Sequence, residues 1–226
     1  LSPEEKARRE RMRVSVGGFA DYQLSPDGTQ VLVMLSGKLY VFDRTTAKAR
    51  ELAIGEGTIV DPKWSPDGKL IGFVKDQDVW IFDLTSGKAQ AVTIGGTPTV
   101  THGLAEFVAQ EEMGRFSGYW WSPDSKKIAY TEADHTGVES WWIADPFRPE
   151  RPPQLQFYPR PGKKNVAVRL GIIPVAGGKT TWVTFENTEY LAAVKWDKKG
   201  GLTAQVQDRK QQNSKLLRID PASGDT

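Results

Sequence analysis

The chain has 226 residues, enough for one substantial domain with a buried core, and its 38% hydrophobic and 26% charged residues are an ordinary globular balance. With 30 Lys and Arg against 28 Asp and Glu, no excess of positive charge points to a nucleic acid or an anionic membrane surface. The absence of cysteine excludes a disulfide framework and a thiolate metal site, and no apolar run is long enough to span a bilayer.

In chain order, Leu1 stands first without a basic segment and apolar run behind it, so no signal peptide is visible. The expectation is a trimmed N-terminus with more sequence upstream. Residues 2–13 read as a helix. Ser2 is placed to cap, Pro3 sits at the first helical position, and Glu5 completes a capping box. Glu4 with Arg8 and Glu5 with Arg9 are favourable i,i+4 pairs. Arg11 and Arg13 carry the basic end toward the helix C-terminus.

A repeat then organises the chain. Ser25-Pro26-Asp27-Gly28 recurs as Ser65-Pro66-Asp67-Gly68 and as Ser122-Pro123-Asp124-Ser125, with a worn fourth copy at Trp196-Asp197-Lys198-Lys199-Gly200. Proline presets the turn and glycine suits its last position. An apolar strand follows each turn (31–35, 70–74, 128–131), and its lack of alternation predicts burial on both faces. A second strand ending in Asp comes next: Leu39–Asp43, Val79–Asp83, Trp141–Asp145 and Leu216–Asp220. Ser25 and Ser65 are 40 residues apart, the length of four short strands with tight turns. The fold class is therefore all-β: a partial β-propeller of about four blades built from four-stranded antiparallel sheets, forming one domain over residues 1–226. Four repeats are too few to close a ring, so a longer polypeptide is expected.

Two insertions break the period. One, near residues 99–116, reads as a short amphipathic helix. Leu104, Phe107 and Val108 form its apolar face, Gly114 stops it, and Glu111 and Glu112 lie at its end. The helix dipole disfavours two carboxylates there, so a cation between them would relieve the arrangement; a solvated Glu pair is the plain alternative. The other insertion is proline-rich and lies between Asp145 and Trp196. His102 and His135 are isolated and make a poor metal site, so they read as solvated loop residues. No phosphate-binding glycine loop and no Gly-x-Ser-x-Gly nucleophile elbow occur.

The run Glu111-Glu112-Met113-Gly114-Arg115-Phe116, followed by Tyr119-Trp120-Trp121-Ser122-Pro123, resembles the glutamate motif of the dipeptidyl peptidase IV family. Tyr158-Pro159-Arg160-Pro161-Gly162-Lys163-Lys164-Asn165 is similar to that family's Tyr-Pro-x-x-Gly-x-x-Asn, and Tyr190-Leu191 fits the following blade. His102 departs from the Asn usual there. The resemblance implies a propeller over a C-terminal α/β-hydrolase domain whose Ser, Asp and His lie beyond Thr226, so this chain alone is expected to cleave nothing. It implies a serine exopeptidase that releases Xaa-Pro or Xaa-Ala dipeptides from peptides with a free N-terminus, with Glu111 and Glu112 holding the α-amine. It also implies a substrate-contacting arginine. Arg8, Arg9, Arg11 and Arg13 are candidates, Arg9 is preferred, and Arg115 either braces the Glu pair or lies on the surface. A homodimer, a periplasmic or secreted location, and no cofactor or metal complete the implication. The rival reading is a non-catalytic periplasmic propeller that binds protein or peptide; a third is an oligopeptidase of different end specificity.

Overall fold

The computed structural model describes residues 3–14, 18, 21–185 and 189–226. The helix α1 (Pro3–Arg11) is shorter than the expected 2–13, and the chain turns away at Arg13, whose φ of 58° is left-handed. Ser2, the expected cap, lies outside the described residues. Glu5 is buried and pairs with Arg9 at 2.9 Å, while Arg8 reaches Glu5 at 3.8 Å and Asp61 at 3.4 Å.

The strands form antiparallel sheets as the repeat requires. The first blade is β1 (Tyr22–Leu24), β2 (Gln30–Leu35), β3 (Lys38–Asp43) and β4 (Lys48–Glu51), joined in that order. The second is β5 (Ile59–Trp64), β6 (Leu70–Lys75), β7 (Asp78–Asp83) and β8 (Lys88–Ala91). In the third, β9 (Val100–His102) precedes the helix α2 (Phe107–Glu112), and β10 (Tyr119–Trp121) and β11 (Lys127–Asp134) follow it. A separate hairpin of β12 (Ser140–Ile143) and β13 (Gln154–Phe157) comes next, then β14 (Ala167–Pro174) and β15 (Thr181–Trp182) complete the third sheet. The described part of the fourth blade has three strands: β16 (Tyr190–Trp196), β17 (Leu202–Gln207) and β18 (Ser214–Ile219).

The third blade corrects one expectation. Trp141–Asp145 has the pattern of a blade's second strand, yet β12 pairs with β13, Trp141 opposite Gln156, and leaves the sheet. The partner of β11 is β14, in continuous register from Lys127↔Pro174 to Asp134↔Ala167. The turn chemistry explains the difference. Asp43 accepts the backbone N–H of Thr45 and Thr46, and Asp83 those of Thr85 and Ser86, each closing a tight turn to the next strand. Asp145 makes the first of these bonds, accepting the Phe147 N–H at 3.0 Å. In the regular copies the residue directly after the Asp donates its N–H to the preceding strand's turn, Arg44 to Thr29 and Leu84 to Lys69. Here that residue is Pro146, which has no N–H, and the chain runs on through an exposed loop.

The Ser-Pro-Asp turns are built alike. Ser25 Oγ donates to Asp27 at 2.6 Å and accepts the Gln30 N–H at 2.9 Å; Ser65 and Ser122 repeat both bonds. The serine hydrogen bond holds the carboxyls of Asp27 and Asp124 below the usual range. Gly28 and Gly68 have φ of 71° and 72°; Ser125 takes the same conformation at 60°, and its hydroxyl accepts the Asp67 N–H at 3.0 Å. In the fourth copy Asp197 alone does this work, accepting the N–H of Lys199 and Gly201.

The cores lie between blades, as strands apolar on both faces require. Ile71 and Phe73 of β6 face the first blade with Leu32, Leu39 and Val41, whereas Val74 of the same strand faces the third with Tyr119, Trp121 and Ile128. Across β11, Ile128 and Tyr130 look back to the second blade and Ala129 forward to Leu202 and Val206 of the fourth. Gly72 is required here: a Cβ would stand 3.0 Å from the rings of both Tyr119 and Trp121. Hydrogen bonds link each blade's first strand to the next. Gln23 donates to the Pro62 carbonyl, Lys63 to that of Tyr119, and the Trp196 indole to that of Trp120. These strands therefore share the inner rim.

Candidate functional site

The inner-rim strand of the third blade is split. β9 pairs with Glu132–Asp134 and β10 with Ile128–Tyr130, both on the same edge of β11, so residues 103–118 leave the rim and return to it. Thr131 stitches the neck: its carbonyl accepts the Gly103 N–H at 2.8 Å, its N–H donates to the Gly118 carbonyl at 2.8 Å, and its hydroxyl donates to the Leu104 carbonyl at 3.0 Å. Both glycines are dictated by close approach. A Cβ on Gly118 would lie 2.4 Å from the Gly103 carbonyl carbon, and one on Gly103, at φ 77°, would meet Val79 at 2.5 Å.

The inserted helix is shorter than its apolar spacing predicts. It starts at Phe107, so Leu104 lies ahead of it and packs into the core between the second and third blades, while Ala109 is its fully buried residue. Gly114 at φ 62° stops it, as expected. Glu106 occupies the N-cap position without capping; its carboxylate instead accepts Arg115 at 2.6 Å. Arg115 also donates to the carbonyls of Leu191, at 2.9 Å, and Ser117, at 3.1 Å. Its expected role is thus corrected. Arg115 is buried and braces Glu106, the turn and β16, rather than the Glu pair or the surface.

Glu111 and Glu112 stand exposed at the end of α2. Arg11, not Arg9, faces them: its Nε lies 3.5 Å from Glu111, and its Nη1 donates to Gln110 at 3.0 Å. Its guanidinium covers the Phe107 ring at 4.8 Å, and Phe107 meets Tyr158 edge-on at 4.8 Å. Burial lowers the Arg11 pKa, with the Glu111 charge opposing the shift. Glu112 has no partner among the described residues. The preferred candidate Arg9 is turned to Glu5, and Arg13 is exposed. Arg8 and Arg11 lie three apart on one face of α1 and line a groove with Leu104, Phe107, Gln110 and Phe157.

Asp61, at a left-handed φ of 54°, gathers Arg8, Lys63 at 2.9 Å and the Ser117 hydroxyl at 2.7 Å, and its carbonyl accepts the Tyr119 hydroxyl at 2.7 Å. Asn165, from the Tyr-Pro segment, donates to Glu189 at 2.6 Å and to the Tyr190 hydroxyl at 2.9 Å.

The histidines are also corrected. His102 is 5% exposed, with Nδ1 2.6 Å from Asp78 and Nε2 3.2 Å from Glu132. His135 is half-buried against Phe157, and burial lowers its pKa. Among the described residues no group of His, Asp and Glu is arranged to hold a metal, and no helix is long and apolar enough to cross a membrane.

Fold and insertion together define a class: a run of propeller blades whose inner rim carries a carboxylate-bearing helix. The model of the dipeptidyl peptidase IV (DPP IV) N-terminal region matches residues 25–226, and the chain belongs to that family. It is 29% identical over 143 residues to dipeptidyl peptidase 8 of Mus musculus, covering 53% of this chain and 16% of that protein. To a probable dipeptidyl peptidase 4 of Emericella nidulans it is 28% identical over 144 residues, 58% of this chain and 19% of the other. The crystal structure of Porphyromonas gingivalis dipeptidyl peptidase 4 superposes with a TM-score of 0.80 at 24% identity, covering 91% of this chain and 31% of that one, which establishes a common fold. The chain thus spans less than a fifth of these curated relatives and about a third of that structure.

Proposed function

We propose that this chain is the substrate-gating part of a serine exopeptidase that releases N-terminal dipeptides, with Glu111 and Glu112 as anchors for the substrate α-ammonium. One observation carries the reading: an exposed pair of carboxylates at the end of a helix inserted in the inner rim, one held by Arg11 and the other unpartnered among the described residues. An ammonium offers three donors, and two carboxylates at a fixed place meet them with charge-assisted hydrogen bonds. A peptide lacking a free N-terminus would bury those carboxylates unpaired, at a cost of several kcal/mol. The anchor therefore selects chain ends and sets the distance to the scissile bond. Arg11 replaces Arg9 as the residue proposed to meet the substrate backbone, since its guanidinium stands beside the pair on the rim. A C-terminal α/β-hydrolase domain supplies the Ser, His and Asp of acyl transfer in this reading.

The test is hydrolysis of a Gly-Pro anilide by the full-length polypeptide that carries this chain. Activity that collapses in Glu111→Ala and Glu112→Ala, together with refusal of the N-acylated substrate, supports the reading. No activity in a verified full-length protein overturns it and leaves a peptide-binding propeller. The homodimer belongs to the same proposal. The hairpin β12–β13 offers a surface for it, with Trp142 68% and Phe147 93% exposed. A periplasmic or secreted location is also part of the proposal, and fractionation of the source cells tests it.

A further inference from the structure

His102 lies between two blades with a carboxylate on each side. Asp78, at the start of β7 in the second blade, stands 2.6 Å from Nδ1, and Glu132, on β11 in the third, stands 3.2 Å from Nε2. A carboxylate only accepts hydrogen bonds, and a neutral imidazole has a single N–H. With neutral His102 one ring nitrogen would present a lone pair to a carboxylate, in a site only 5% exposed. With both acids ionised, both contacts are satisfied together only by the imidazolium. The other groups around it are accounted for: Asp78 also accepts the Thr93 hydroxyl at 2.7 Å and the Gly96 N–H at 2.9 Å, Glu132 accepts Arg169 from β14, and the Tyr130 ring meets the imidazole edge-on at 5.6 Å.

His102 is also the last residue of β9, directly before the neck of the insertion, and its backbone N–H donates to the Gln77 carbonyl of the second blade at 2.8 Å. We propose that His102 is a protonation-dependent clamp between the second and third blades, and that its charged form positions the insertion bearing Glu111 and Glu112. Its link to substrate rests on the amine-anchor reading above. Burial opposes the charge, but the hydrogen bonds and charges of Asp78 and Glu132 overcome it and raise the pKa above the ordinary imidazole value. A raised folded-state pKa means that the clamp stabilises fully below the unfolded value of about 6.5 and is lost as pH climbs through the folded value.

The experiment is amide hydrogen exchange, read by mass spectrometry and corrected for intrinsic rates, on the full-length polypeptide from about pH 6 to about pH 9. Residues 103–113 are expected to lose protection severalfold as pH rises. His102→Gln, which does not titrate, should show low protection with no such transition. Should that variant fold poorly, Glu132→Gln removes one carboxylate and should move the wild-type transition to lower pH. Protection that stays constant across the range in the wild type, or a transition unmoved in Glu132→Gln, overturns the clamp. Exchange needs no substrate, so this result stands whether or not the peptidase reading does. The link to substrate is read from KM and kcat for the Gly-Pro anilide over the same range. The ratio of variant to wild-type KM removes the titration of the substrate's own amine. That ratio should fall toward unity as pH rises while kcat is held; a ratio independent of pH overturns the link.

Discussion

The second and third blades begin from the same Ser-Pro-Asp turn and the same kind of apolar strand, and they end as different objects. The second is four strands in sequence order, with its side chains closed into the cores on both faces. The third has its first strand cut by a helix and its middle interrupted by a hairpin that leaves the sheet. The regular blade spends its residues on packing, whereas the carboxylate pair sits where the other blade departs from the pattern, with Arg11 reaching it from α1. The cost of departure is visible in buried charge. The second blade buries Asp61 and Lys75, but the third needs Arg115 with Glu106, and His102 between its own Glu132 and Asp78 of the second blade, to hold its additions in place.

Substitutions on the two blades should therefore fail in different ways. The largest effect is expected from Phe73→Ala in the regular blade, about 3–5 kcal/mol of stability measured by urea unfolding, with kcat/KM per folded molecule unchanged. Arg115→Met leaves Glu106 charged and buried without its partner and should cost about 3 kcal/mol or more, together with loss of anilide hydrolysis. Glu112→Ala should leave the urea midpoint within about 0.5 kcal/mol of wild type while lowering kcat/KM about 100-fold, or ~2.7 kcal/mol. Equal losses of stability and activity in all three would erase the division between blades. The smallest effect belongs to Trp142→Ser on the exposed hairpin: stability within about 0.5 kcal/mol, but a shift toward monomer in sedimentation velocity.

The regular parts were legible because local rules decide them. The Ser-Pro-Asp-Gly turn and the strand after it are fixed within a few residues, and the predicted strands at 31–35, 70–74 and 128–131 lie within β2, β6 and β11. The same rules misled at Trp141–Asp145, whose pattern copies a second strand. The missing signal was the residue after it, where Pro146 stands in place of Arg44 and Leu84, whose N–H groups tie the regular copies to the sheet. The Glu pair was readable from its motif, but its neighbour was not. Arg9 and Arg11 look alike in sequence, and the position of Asp61 and Gln110 around α1 decides which one faces the pair. His102 appeared solvated because its partners lie 24 and 30 residues away, at Asp78 and Glu132.

The neck at Thr131 has one more consequence. β9 and β10 meet β11 without changing register, and Gly103 and Gly118 stand back to back where they part. The ring thus sees an almost unbroken strand, whatever the sixteen-residue excursion contains. Such a join lets an excursion be lengthened, shortened or exchanged over evolutionary time while the ring that carries it keeps its shape. New specificity can be tried at the rim of this fold without the scaffold having to be solved again.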